Sequence, residues 1–147
     1  MIAEIRQRIA GITESAFETY SEGKPGCTGS GKGNVSVRFE GDTIHFRERG
    51  EWTNHLEKTM NFTNEYRWSF DEALPAVKLE HLRRGDDDPV CLIRFLPESE
   101  GSWVCREPYI CGSDEYTAGL YFEKNRIVLE WNITGPQKKN SITRIYS

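Results

Sequence analysis

The segment Tyr116 to Ile133, YTAGLYFEKNRIVLEWNI, constrains this chain more than any other stretch. A charged, turn-rich loop, Glu123-Lys124-Asn125-Arg126, separates two runs of strand-forming residues. A loop of that length places Phe122 opposite Ile127. Side chains alternate between faces along a strand, so the pairing continues as Leu120 with Leu129, Ala118 with Trp131 and Tyr116 with Ile133. Every one of these is apolar or aromatic, which makes one face of the hairpin a wall that has to be buried. The other face carries Thr117, Gly119, Tyr121, Val128, Glu130 and Asn132, a mixture that suits contact with water. Pro136 cannot donate to a ladder and stops the second strand. A last strand, Ser141 to Tyr146, returns.

The same plan recurs upstream. Val35–Glu40 and Thr43–Arg49 form a second hairpin, with Phe39 opposite Ile44, Val37 opposite Phe46 and Val35 opposite Glu48. Its buried face is Val35, Val37, Phe39, Ile44 and Phe46, and Glu48 falls on that same face. Arg38, His45 and Arg47 fall on the opposite one. Glu51–Thr59 and Asn61–Phe70 read as two further strands, the second with Phe62, Asn64, Tyr66, Trp68 and Phe70 on one side. Ala76–Leu82 aligns Val77, Leu79 and His81. Val90–Leu96 aligns Cys91, Ile93 and Phe95. Pro97–Ser102 is a turn, and Trp103–Ile110 is extended and interrupted by Pro108.

Before these strands, Ile2, Ile5, Ile9 and Ile12 make one stripe of an amphipathic helix that ends near Gly11. Ser15–Tyr20 is a short strand. Ser21–Asn34, SEGKPGCTGSGKGN, reads as turn-rich, and its glycines invite comparison with a phosphate-binding loop. No Gly-Lys-Ser or Gly-Lys-Thr follows, and the segment leads into a strand rather than a helix, so the phosphate reading is disfavoured.

About nine or ten strands joined mostly by short loops imply an all-β, antiparallel, up-and-down barrel of lipocalin-like, or calycin-like, form, with the N-terminal helix over one mouth. A length of 147 residues suits a single domain, residues 1–147. The net charge of -4 disfavours a nucleic-acid partner, because no basic excess exists to neutralise phosphates. No stretch is long and apolar enough to span a bilayer as a helix. The charged start, MIAEIRQRIAG, lacks a signal-peptide run, which predicts a cytoplasmic protein with Cys27, Cys91, Cys105 and Cys111 as free thiols.

Metal chemistry finds little support in the residue spacing. His45, His55 and His81 are scattered, and Cys105 and Cys111 lack the close pairing of a zinc site. The run Asp86-Asp87-Asp88 lacks the glycine and glutamate spacing of a calcium loop. No metal and no cofactor is expected. Glu48, on an apolar face, either reaches water or an arginine at the strand end or points into a cavity. Asp114 either caps a turn or shares a cavity face with Tyr116. Lys138 either closes a pocket mouth over an anion or stays exposed.

Several motifs together resemble a known family. They are Gly29–Phe39 (GSGKGNVSVRF), Glu48-Arg49-Gly50, Tyr66-Arg67-Trp68, Cys111–Tyr116 (CGSDEY) and Trp131–Lys138 (WNITGPQK). In this order and spacing the chain is similar to DUF6314, a bacterial family of unknown function, and the resemblance implies a lipocalin-like barrel. Two departures stand out. The family tends to carry a tryptophan shortly after the first glycine, where this chain has Ile12 and Thr13. It also tends to carry a histidine two residues before the cysteine, where this chain has Tyr109.

The expected function is a barrel that holds a small hydrophobic or amphipathic molecule in its interior. Its candidate lining is Glu48, Asn64, Tyr66, Trp68, Trp103, Cys111, Asp114, Tyr116, Trp131 and Lys138. One alternative is a small enzyme that uses Glu48 or Asp114 as general acid or base in the same cavity. Another is a haem-binding barrel, which needs an axial ligand on the inner face. No histidine is clearly assigned to that face, which places the haem reading last. A barrel packed solid by its own side chains remains the structural alternative.

Overall fold

The alternation read along the chain closes into a barrel. A computed structural model describes residues 1–23 and 28–147. Cys27 lies outside the described residues, and so does the side chain of Cys91. The elements are α1 (Ile2–Ala10), β1 (Glu14–Ser21), β2 (Gly29–Glu40), β3 (Thr43–Asn54), β4 (Thr59–Asp71), β5 (Ala76–His81), β6 (Cys91–Ser99), β7 (Ser102–Cys105), β8 (Tyr109–Cys111), β9 (Asp114–Phe122), β10 (Ile127–Gly135) and β11 (Lys138–Tyr146). Each of β1 to β6 pairs antiparallel with the next, β9 pairs with β10, and β11 returns to β1. The short strands β7 and β8 both pair with β9, β7 at Tyr121–Gly119 and β8 at Tyr116–Asp114. They form one stave, interrupted at Arg106-Glu107-Pro108, and the result is a closed antiparallel barrel of ten staves.

Both hairpin registers derived from the alternation hold. Phe122 faces Ile127, Leu120 faces Leu129, Ala118 faces Trp131 and Tyr116 faces Ile133. Phe39 faces Ile44, Val37 faces Phe46 and Val35 faces Glu48. His45 points outward, where its Nε2 lies 2.8 Å from a Glu40 carboxylate oxygen.

Local expectations fail at several points. Glu51–Thr59 is not a separate strand. β3 continues to Asn54, whose side-chain oxygen accepts the backbone N–H groups of Leu56 (2.9 Å) and Lys58 (3.0 Å) and so shapes the turn. Pro97–Ser102 is not wholly a turn, because β6 runs to Ser99 through an irregularity between Pro97 and Ser99. Phe39 is 59% exposed, since it sits at the rim of the barrel. Val128, on the face expected to meet water, is buried.

The segment expected to be all turn contains the first half of β2, and its glycines have a packing cause. A Cβ on Gly31 would lie 2.4 Å from the Phe17 ring and 2.8 Å from the Glu51 carbonyl oxygen. A Cβ on Gly50 would lie 1.9 Å from the Lys32 carbonyl oxygen. Glycine lets the β2 and β3 backbones approach each other closely and leaves room for the Phe17 ring against them.

α1 covers one mouth. Ile2, Ile5, Ile9 and Ile12 are buried in the core, each such burial contributing about 1.5–3 kcal/mol. The helix ends at Gly11 with right-handed backbone, and the Gly11 N–H is shared between the Gln7 and Arg8 carbonyls at 3.2 Å. Arg6 donates to the Gly41 carbonyl at 3.4 Å, and Arg8 donates to the carbonyls of Glu123 and Arg126. These contacts join the helix to the β2–β3 and β9–β10 turns. No helix among the described residues is long and apolar enough to cross a membrane.

Candidate functional site

The two halves of the barrel are filled differently. On the helix side the inward residues Phe46, Trp68, Val77, Leu79, Phe95, Leu120, Leu129 and Tyr146 are all essentially buried and form one cluster with the isoleucines. Phe46 meets both Trp68 and Tyr146 edge to face at 5.8 Å. Toward the other mouth this packing stops, leaving a cavity of about 240 Å³. Its walls are Asn64 and Tyr66 from β4, Leu79 and His81 from β5, Tyr109 and Cys111 from β8, Tyr116 from β9, Trp131 and Ile133 from β10, and Ile142 and Arg144 from β11. Arg83 and Val90, from the β5–β6 connection, complete it.

Strand register sets the depth of each residue. Tyr66 pairs with Phe46 and His81, just beyond the filled layer. Arg144 pairs with Leu129, also next to that layer, while Ile142 pairs with Trp131 and lies further out. The cavity floor is therefore polar and its outer wall mostly aromatic and aliphatic.

Arg144 is the centre of that floor. Its Nη1 donates to both carboxylate oxygens of Glu48, at 2.8 and 3.1 Å. Asn64 Nδ2 donates to the same carboxylate at 3.1 Å. The guanidinium lies 4.8 Å over the Phe17 ring, and it also donates to the buried Tyr146 hydroxyl. Side-chain exposure is 10% for Arg144 and 1% for Glu48, so this ion pair is shielded from solvent. Burial disfavours the Arg144 charge, but Tyr66, Tyr146 and Glu48 more than reverse that and hold it firmly protonated. Burial pushes the Tyr146 hydroxyl well above its usual range, so it stays neutral.

His81 is the one imidazole among the described lining residues. The Arg83 backbone N–H donates to its Nδ1 at 3.2 Å, which fixes the neutral tautomer with the proton on Nε2. Burial first, then Arg83 and Arg144, lower its pKa below the ordinary value of 6.5. Its ring meets Tyr66 edge to face at 4.8 Å.

Of the residues expected from sequence to line a pocket, Asn64, Tyr66, Cys111, Tyr116 and Trp131 come together around this cavity. Glu48 lies behind the wall, turned toward Arg144 and Asn64. Trp68 and Trp103 are buried in the core cluster and do not line the cavity. Asp114 and Lys138 pair with each other at 3.4 Å outside it. A Cβ on Gly135 would meet the Asp114 carboxylate at 2.0 Å, so the CGSDEY and WNITGPQK motifs meet as packed turns at the ends of β9, β10 and β11. Glu48 and Asp114 thus do not face a common cavity.

The sequence reading did not place Arg144, Arg83 or Tyr109 in the lining, and it aligned His81 with Val77 and Leu79 without assigning that side to the interior. For His81 the signal was present: it alternates with Val77 and Leu79, which are fully buried inward residues. For Arg144 the alternation with Ile142 and Tyr146 carried the same information.

Away from the cavity, Glu40, His45 and Asp86 bring three possible ligand atoms within 4.8 Å on the outer surface. Arg38 lies 3.3 Å from Glu40 and Arg67 donates to the Asp86 carbonyl at 3.2 Å, so cations already occupy this neighbourhood. Cys105 and Cys111 are not joined to each other, and the Cys105 thiol donates to the Glu107 carbonyl at 2.9 Å.

The model of a family of unknown function (DUF6314) matches residues 15–147. No curated protein and no solved structure gives a significant match.

Proposed function

Because the chain belongs to that family of unknown function, whose description carries no activity, we propose its function from the cavity itself: the barrel binds a small, partly apolar molecule through its uncovered mouth. The observation that supports this is the unequal filling of the barrel. One half is packed and closed by α1, while the other keeps about 240 Å³ between aromatic walls and a charged floor. An apolar cavity with a few placed polar groups is the usual form of a small-molecule site. At ~30 Å³ per water, the space equals roughly eight waters, enough for a small ring compound.

The same dimensions argue against a haem. The cavity is below the ~300–1,000 Å³ typical of pockets for drug-sized ligands. His81 lines the cavity and could offer an axial nitrogen, but the space around it is too small for a tetrapyrrole. Acid–base catalysis by a carboxylate fits less well than binding. Glu48 is engaged by Arg144 and Asn64 behind the wall, and Asp114 is engaged by Lys138.

Titration calorimetry with 2-naphthamide, a neutral two-ring probe, tests the binding reading. Binding in the micromolar to millimolar range, lost in Ile142→Trp because the indole fills the cavity, is the expected result. An affinity unchanged by Ile142→Trp would place the site elsewhere and overturn the reading.

A further inference from the structure

The walls of the cavity differ in charge from the rest of the molecule. The chain as a whole carries a net charge of -4. Among the described residues, the cavity lining nevertheless contains two guanidinium groups, Arg83 and Arg144, an imidazole, His81, and no carboxylate. Glu48 neutralises Arg144 from behind but offers nothing to the cavity, because both of its oxygens face Arg144 and one also takes the Asn64 amide. The deep polar groups are thus mainly donors: the Arg144 guanidinium and the Nε2–H of the His81 tautomer. The apolar and aromatic wall of Trp131, Ile133, Tyr116 and Tyr109 lies nearer the mouth.

We propose that the ligand is a small organic acid, bound carboxylate-first against Arg144 and His81 with its apolar body between the aromatic side chains toward the mouth. The inference rests on the binding reading above and adds the class of ligand. Arg83 at the entrance adds a second positive charge on the path inward. A planar guanidinium held by a buried partner and an aromatic face is preorganised for an oxyanion, so little ordering is needed at the moment of binding. A neutral acceptor would use the same donors without the charge, and a cation would meet donors that offer it no acceptor and the Arg83 charge at the entrance. The site therefore discriminates by head group as well as by size.

The test compares 2-naphthoic acid with 2-naphthamide, which share a body and differ in charge at neutral pH. Calorimetry should show the acid binding at least about tenfold more tightly, the factor that separates charge-assisted from neutral hydrogen bonds. Equal affinities, or a tighter amide, would overturn the proposal and leave the binding reading intact. Failure of both probes at millimolar concentration would overturn both. A variant supplies the second arm. Glu48→Gln keeps the shape and one acceptor oxygen behind Arg144 but removes its counter-charge and gives up the second acceptor. The acid should then bind more tightly by about tenfold and raise the melting temperature of the variant more than that of the native chain, while the amide changes little. Loss of acid affinity in Glu48→Gln, with amide binding retained, would mean that the acid is not at Arg144 and would refute the assignment.

Discussion

Replacing Arg144 by Met should destabilise the fold by about 3–5 kcal/mol, the cost of leaving a buried charge without its partner. The magnitude follows from the geometry. Glu48 and Arg144 are 2.8 Å apart, with side-chain exposures of 1% and 10%. At that separation and an effective dielectric of about 20, their attraction is about 6 kcal/mol, most of it offset by the desolvation of both groups. Met fills much of the volume of the Arg stem but leaves the Glu48 carboxylate with only the Asn64 amide at 3.1 Å. The Arg144 contact with Phe17 at 4.8 Å is lost as well, adding about 0.5–2 kcal/mol. Glu48→Met should cost less, because Arg144 borders the cavity and can turn toward water there. The double variant should recover most of the loss or exceed native stability, since two well-packed apolar groups replace an ion pair that barely balances its own desolvation. Urea denaturation of all four proteins closes the cycle. A loss below about 1 kcal/mol in Arg144→Met, or a double variant no better than the worse single one, would show that solvent screens the pair and would remove the premise of a rigid floor.

Three further outcomes are expected. Gly31→Ala should cost about 1–3 kcal/mol in a denaturation curve, because its Cβ would lie 2.4 Å from the Phe17 ring, whereas Ser30→Ala next to it, on an exposed position, should change stability by less than about 0.5 kcal/mol. The folded His81 pKa lies below the ordinary 6.5, so the unfolded chain takes up more protons in that window and stability should decline as the pH falls from about 6.5 toward the folded value, a slope that His81→Gln should flatten. A thiol reagent followed by peptide mapping should modify Cys111, exposed at the cavity mouth, before Cys105, whose pKa is raised by burial; 2-naphthamide should slow the Cys111 reaction, and an equal rate with the probe present would argue against occupancy of the mouth.

Periodicity alone determined the barrel, its two clearest hairpins and the buried stripe of α1. Each is a local rule repeated: a side-chain period of two, a turn of fixed length, and a row of apolar residues that has to find a surface. It also put Glu48 on the inward face of β3, because the residues paired along that strand leave it no other side. What covers the inward face was not decided by the strand. Phe46 and Glu48 share a face, yet one ends in a packed layer and the other in an ion pair with a residue 96 positions away. Asp114 and Tyr116 likewise share a strand face, but the β9, β10 and β11 turns draw Asp114 to Lys138 and away from the cavity. Closure of the barrel brings β3 and β11 within reach across β1 and β2, and the pairing of Arg144 with Glu48 exists only once that closure has happened. The cavity has the same origin. It is the volume between the last layer that α1 helps to fill and the open mouth, and that volume depends on how ten staves curve together rather than on any one of them.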